Sequence, residues 1–150
     1  MQILLLPVPG LETQYERTSQ EGDLTGGVYI FKKDSIGAWT ETQHLLPPNR
    51  RTGGYYGDGL FLVDSTMFIG SPRDGFDSEE DNYLSEAGAV YEYKLSSEGN
   101  WEYISKVTPF SRTANANFGS SVAYCENRLV VSAPRDKNLN EKKRVELIRF

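Results

Sequence analysis

The chain has one cysteine, Cys125, one histidine, His44, and no long hydrophobic run. A lone cysteine excludes an internal disulfide, and its place after the apolar residues 122–124 reads as a small core side chain rather than a reactive thiol. With one histidine and one cysteine there is no ligand set for zinc. A serine or cysteine triad would need His44 as its base, and no serine sits in a nucleophile-elbow pattern, so hydrolysis of that kind is not expected. No glycine-rich loop follows a strand and opens a helix, which removes the usual phosphate cradle. Helices are missing from the pattern as well: no window of about eleven residues places apolar side chains at helical spacing, and glycine or proline keeps interrupting.

Charge of one sign is scarce too. Sixteen basic against 21 acidic residues give a net charge of -5, spread along the chain apart from the short cluster at 141–144. Such a surface repels phosphate backbones, so nucleic acid and anionic membrane are not expected partners. The opening Met-Gln-Ile-Leu-Leu-Leu-Pro has no basic lead-in and is too short for an export signal or a membrane span, so neither a signal peptide nor a transmembrane segment is visible. It reads instead as a buried strand, the tail of a repeat that begins upstream, in a chain excerpted from a longer array. At 150 residues, 38% hydrophobic and 12% aromatic, the chain can bury one ordinary core.

What the chain does have is internal repetition. Gly26, Val28, Tyr29, Trp39, Gly57, Pro72, Arg73 and Asp74 recur 62 positions later as Gly88, Val90, Tyr91, Trp101, Gly119, Pro134, Arg135 and Asp136. Residues 26–74 align on 88–136 without a gap, with 13 of 49 positions identical, where unrelated sequence would give roughly three. A period of this length means modules that bury their apolar faces on copies of themselves. The organisation expected is a remnant of a preceding repeat plus a loop at 1–25, repeat 1 at 26–87, and repeat 2 with the start of a degraded third copy at 88–150.

Each period reads as four strands separated by turns. Residues 26–33 are dense in β-branched and aromatic types and run into the turn chemistry of 34–37. A second strand at 38–46 stops at Pro47 and Pro48, which have no N–H for a central ladder. Strands at 56–63 and 66–70 follow, joined at Asp64-Ser65 by a two-residue turn that Glu126-Asn127 matches in the next copy. Residues 145–150 supply a third strand for the last copy, after a shorter loop and with Arg144 where the pattern has glycine. The fold class is all-β: a β-propeller fragment of repeated four-stranded antiparallel blades, about two to two and a half of them, with a β-solenoid as the structural rival.

In combination, Tyr56-Gly57 to Ser71-Pro72, Phe118-Gly119 to Ala133-Pro134, the segment Gly-Ala-Val-Tyr-Glu-Tyr at 88–93 and Trp101 resemble the FG-GAP repeats that build integrin-α-like propeller blades. Tyr56 stands for the phenylalanine of that pattern, and Ser71 and Ser132 for its alanine and glycine. The resemblance implies that residues 56–107 make one whole blade. It also implies an extracellular or cell-surface setting. Two or so blades leave sheet faces uncovered, to be met by missing blades of a parent protein, by self-association, or within a sandwich.

Few residues are candidates for chemistry, and the expectation is that the protein is not an enzyme, with no catalytic or metal residue assigned and the binding residues unknown. His44 and its repeat partner Lys106 read as solvated strand positions. The acidic loop 74–81 is the one cluster able to bind a hard cation such as calcium. It falls after the proline mark, however, outside the interval that carries calcium in integrin-type repeats, so a solvated acidic turn is the preferred reading and no cofactor is assigned. The recurrent Pro-Arg-Asp reads as architecture, with the aspartate holding a turn and the arginine stacked on an aromatic ring. Tyr29, Tyr91, Trp39 and Trp101 are expected to fill the space between sheets.

The function expected is a non-catalytic binding or scaffolding module, part of a larger adhesion or recognition protein, meeting a protein or glycan through rim loops at 49–55, 75–87 and 112–117. Deletion of 75–87 is expected to leave the fold intact. The alternatives are a propeller enzyme with an axial site, for which the inner strands offer only Asp58 and its repeat position Ser120, or a structural fragment without separate activity.

Overall fold

The computed structural model describes residues 24–49 and 53–137, together with the backbone of the strands at 3–8 and 145–149. Part of the first rim loop (50–52), the cluster 141–144 and most of the acidic loop's second copy (138–143) lie outside the described residues. No helix among the described residues is long and apolar enough to cross a membrane.

Ten strands are described: β1 (Ile3–Val8), β2 (Gly27–Lys33), β3 (Trp39–Leu45), β4 (Leu60–Val63), β5 (Thr66–Ser71), β6 (Ala89–Leu95), β7 (Trp101–Val107), β8 (Val122–Cys125), β9 (Arg128–Ser132) and β10 (Val145–Arg149). They form three antiparallel sheets, ordered β1-β2-β3, β4-β5-β6-β7 and β10-β9-β8. The four-stranded sheet, Leu60 to Val107, is one complete unit of the expected kind. In the first sheet β2 and β3 are the 62-residue counterparts of β6 and β7, and in the third sheet β8 and β9 are those of β4 and β5.

The repeat extends to individual backbone bonds. Gly57 N–H donates to Gly70 O (2.9 Å) and Gly119 N–H to Ser132 O (3.0 Å); Arg73 N–H donates to Gly54 O and Arg135 N–H to Ala116 O, both at 3.2 Å. A bulge falls between Ile30 and Phe31 in β2 and between Glu92 and Tyr93 in β6. Isolated parallel bridges join Gly26 to Tyr56 and Gly88 to Phe118, tying the start of one repeat to the glycine turn that leads into the next sheet. Both glycines have positive φ, +81° and +89°, and a Cβ on either would collide with the carbonyl oxygen of its bridge partner. The recurrence of glycine here therefore follows from backbone conformation and close approach.

The strand expected at 56–63 is shorter, Leu60–Val63, because Gly57 turns the chain at φ +100° before the ladder begins. The β4–β5 connection is the expected two-residue turn, with Asp64 at φ +49°, and Glu126 and Asn127 also have positive φ in the next copy.

The sheets stack face to face. Val28, Ile30 and Leu45 of the first sheet pack with Tyr56, Met67, Ile69, Tyr91, Tyr93 and Trp101 in one buried cluster. A second cluster joins Phe68, Val90 and Phe118 to Leu129 and Val131. Alternation along β5 sends Met67 and Ile69 to one side and Phe68 to the other, which is why this strand reads as a continuous apolar run. Sheets stacked through both faces are propeller-type packing rather than the rungs of a solenoid.

Two expectations about single residues are corrected here. Cys125 is exposed. Val122 and Tyr124 pack against the middle sheet, so the period-two alternation turns Ala123 and Cys125 outward. Trp101 is 3% exposed between sheets whereas Trp39 is 40% exposed, because Trp101 has the first sheet against it and Trp39 lies on that sheet's opposite face.

Candidate functional site

The antiparallel order of the middle sheet fixes where its connections lie. The tight turns at 64–65 and 96–100 share one edge, and the longer loops at 46–59, 72–88 and 108–121 share the opposite rim. All three sequence-predicted binding loops are on that rim; 112–117 touches 75–87, and the described part of 49–55 meets Ser71 and Arg73 at the start of the neighbouring loop.

Arg112 forms the central clip. Its Nη1 donates to Asn82 O and its Nη2 to Gly75 O, each at 2.6 Å, so the 112–117 loop grips the 75–87 loop by two backbone carbonyls. Asn115 N–H donates to Ser85 O (2.7 Å), and Asn117 Nδ2 donates to Pro72 O (3.0 Å). On the other side Ser71 Oγ donates to Gly54 O (2.7 Å), and the Arg73 guanidinium lies 4.1 Å from the centre of the Tyr55 ring. The recurrent Pro-Arg-Asp segment thus has its arginine on an aromatic ring, as its sequence suggests.

Asp74 holds its turn and also reaches inward. Oδ1 accepts from Phe76 N–H (2.9 Å), while Oδ2 accepts from the Tyr91 hydroxyl (2.6 Å) and lies 2.9 Å from Lys106 Nζ. Lys106, on β7 opposite Tyr91, has a side chain only 1% exposed, and its ammonium also meets Glu80 Oε1 at 2.7 Å. The Tyr91 ring centre is 5.4 Å from the same ammonium. Position 106 is therefore not the solvated site its sequence suggested, and 74–81 is not simply a solvated acidic turn. Two carboxylates around one buried ammonium leave an excess of negative charge, and their pairing with it, together with the bonds Asp74 accepts from Tyr91 and Phe76, offsets the cost of desolvation.

The neighbouring tyrosines respond to that environment. Burial pushes the Tyr91 hydroxyl pKa far above its ordinary value, and the charges of Asp74 and Glu80 push it further the same way. Tyr56, whose hydroxyl donates to the Tyr93 hydroxyl at 2.8 Å, is raised by burial first and by Tyr93 second. Tyr93 is pushed up to about 12, again chiefly by burial.

The rest of the acidic loop is organised around Asp77. Its Oδ1 accepts from the N–H groups of Glu79 (3.1 Å) and Asp81 (3.0 Å), and its Oδ2 accepts from Asn82 Nδ2 (2.6 Å). These bonds, led by the one from Asn82, hold its carboxyl pKa below the usual aspartate value. Among the described residues no group of three or more His, Cys, Asp and Glu is arranged to hold a metal ion.

Between the rim loops lies a cleft of about 60 Å³, lined by Asn49, Arg73, Asp74, Phe76, Glu80 and Tyr83 among others. Tyr83 is 65% exposed, with its ring 5.0 Å from that of Phe76. The cleft thus sets the exposed Tyr83 ring, backed by half-buried Phe76, beside carboxylates, a guanidinium and a side-chain amide, the mixture that recognises polar ligands with apolar faces.

The remaining sequence candidates lie elsewhere. His44 is half-buried and stacks flat on Tyr29, ring centres 4.0 Å apart, in the place where the next repeat has Lys106 and Tyr91. Asp58 is exposed, and Ser120 Oγ donates to Asn117 O at 2.7 Å. The Lys106 cluster escaped the sequence reading. Its one trace was Pro-Arg-Asp followed by a second acid, Glu80, and what makes it a cluster is the folding of the 75–87 loop back over β7.

Residues 101–144 match the family model described as FG-GAP repeat. No curated protein and no solved structure matches the chain.

Proposed function

Because the chain carries an FG-GAP repeat within a stack of antiparallel sheets, we propose that it is a non-catalytic binding or scaffolding module of a β-propeller in a larger extracellular or cell-surface recognition protein. The observation that carries this reading is the convergence of three long loops on one rim, where Arg112 locks two of them and a cleft with the exposed Tyr83 ring opens beside them. Rigid sheets presenting fixed loops suit recognition of a protein or glycan surface. The carboxylates nearest the cleft support binding rather than acid–base catalysis: Asp74 and Glu80 are engaged by Lys106, and Asp77 by its own turn.

The test is binding of the purified chain to arrayed glycans and to a panel of extracellular proteins, with Tyr83→Ala beside the native sequence. Loss of a ligand in Tyr83→Ala with unchanged folding supports the rim. Equal binding by both chains places recognition elsewhere.

A further inference from the structure

Six large apolar side chains are exposed among the described residues, and of these Tyr83 is the one that lines the rim cleft. Its ring is braced from two sides. Phe76 meets it with the ring planes 59° apart, and the backbone of Gly75 lies so close that a Cβ there would collide with the Tyr83 ring. Gly75 is not one of the positive-φ glycines, so its own conformation does not call for glycine; the ring does. The repeat does not call for it either, since the counterpart 62 positions later is Lys137. The chain on both sides of the ring is tied to the same glycine: Leu84 N–H donates to Gly75 O (2.6 Å), and Arg112 bridges Gly75 O and Asn82 O. An aromatic ring presented in this way loses little freedom when a ligand lands on it.

Around the ring the cleft is polar, lined by Asn49, Arg73, Asp74 and Glu80. Three of these are also held in place. The Arg73 guanidinium lies over Tyr55 and 3.8 Å from Glu86, and Lys106 holds Asp74 and Glu80. Charged groups crowded around a single ring are the reverse of a protein-interface core, which is depleted of charge. A pyranose has the matching chemistry: the C–H groups of one face lie flat on an aromatic ring, while hydroxyls project from its edge. Each hydroxyl can donate to a carboxylate and accept from a guanidinium or an amide.

We propose that the Tyr83 cleft binds a pyranose residue of a glycan, with the apolar face of the sugar stacked on the Tyr83 ring and its hydroxyls bonded to Asn49, Arg73 and Glu80. This rests on the rim being the recognition surface, and of protein and glycan it selects glycan. Gly75 is then a specificity-determining position, because the absence of a side chain there lets the ring lie where the sugar meets it.

The experiment titrates the full chain with glucose, galactose, mannose and N-acetylglucosamine and their soluble oligomers, read by saturation-transfer NMR and calorimetry, beside the panel of extracellular proteins. Tyr83→Ala, Tyr83→Phe and Gly75→Ala are compared with the native chain, and circular dichroism checks that each keeps its sheets. The native chain is expected to bind at least one of these sugars, and Tyr83→Ala to bind it at least roughly tenfold more weakly. Tyr83→Phe restores the ring without its hydroxyl and is expected to recover most of that loss. Gly75→Ala pushes the ring aside and is expected to weaken the sugar as Tyr83→Ala does; if it does not fold, the two Tyr83 variants still decide. Sugar binding undiminished in Tyr83→Ala overturns the proposal, and a loss in Tyr83→Phe as large as in Tyr83→Ala overturns stacking as its basis. A protein ligand lost in Tyr83→Ala, with no sugar bound, overturns the glycan assignment and leaves the rim as the recognition surface. No ligand of either class overturns both.

Discussion

The ammonium of Lys106 on β7 lies 2.9 Å from Oδ2 of Asp74, the residue that ends the turn after β5, so a rim loop is tied to the outer strand of its own sheet by a buried ion pair. Glu80 closes the same arrangement from further along the loop at 2.7 Å. The rim is thereby part of the fold it decorates.

Lys106→Met leaves two carboxylates facing a buried space with no cation between them. The expected cost is about 3–5 kcal/mol, the range for removing one partner of a buried ion pair. Urea denaturation measures it. Adding Glu80→Gln to Lys106→Met is expected to recover part of the loss, since one of the stranded charges is then gone.

For the same reason, removing 75–87 is expected to unfold the middle sheet, contrary to the expectation from sequence. That segment supplies Glu80 to Lys106 and accepts bonds from Asn115, Asn117 and Phe118 through the carbonyls of Ser85, Glu86 and Ala87. Loss of the far-ultraviolet β signal in the deletion chain checks this, and retention of a native spectrum would refute it.

Gly26→Ala and Gly88→Ala are expected to destabilise by similar amounts, each by more than about 1 kcal/mol, because alanine at positive φ is strained and its methyl group collides with the bridge partner's carbonyl. Paired denaturation curves test both size and equality. A neutral Gly88→Ala would contradict the bridge to Phe118.

Alkaline pH should unfold the protein through its buried tyrosines. In an unfolded chain tyrosine ionises near 10, whereas folded Tyr93 holds its proton to about 12 and Tyr56 and Tyr91 are raised as well. Above pH 10 the unfolded state has released protons that the folded state keeps, so stability is fully present below 10 and falls as pH climbs; for Tyr93 the window is 10 to about 12. Tyrosinate absorbance rising together with loss of structure is the expected result; ionisation well before unfolding would show these hydroxyls to be accessible.

The repeat was legible because inter-sheet packing imposes the same demands at the same positions in every unit. Gly26 and Gly88 answer to a backbone contact, and Val28 and Val90 to an apolar face. Faces were harder to read. The run 122–125 is apolar throughout, and nothing local says that Tyr124 turns inward and Cys125 outward until the neighbouring sheet is known. Lys106 was the least legible, since its burial depends on Glu80, a loop residue whose approach no strand periodicity encodes. The three rim loops could be named from composition, but their contact through Arg112 is a property of the folded chain.

The most direct test of the rim as a recognition surface compares the native chain with Tyr83→Ala on arrayed glycans and extracellular proteins. Tyr83 is exposed at the cleft and pairs with Phe76 alone among the described rings, so its truncation is expected to cost about 0.5–1.5 kcal/mol, the range for one aromatic pair, and to leave the fold intact. The account predicts a ligand in one of these classes whose affinity falls at least roughly tenfold in the variant. Undiminished binding in Tyr83→Ala, or no ligand in either class, would contradict it.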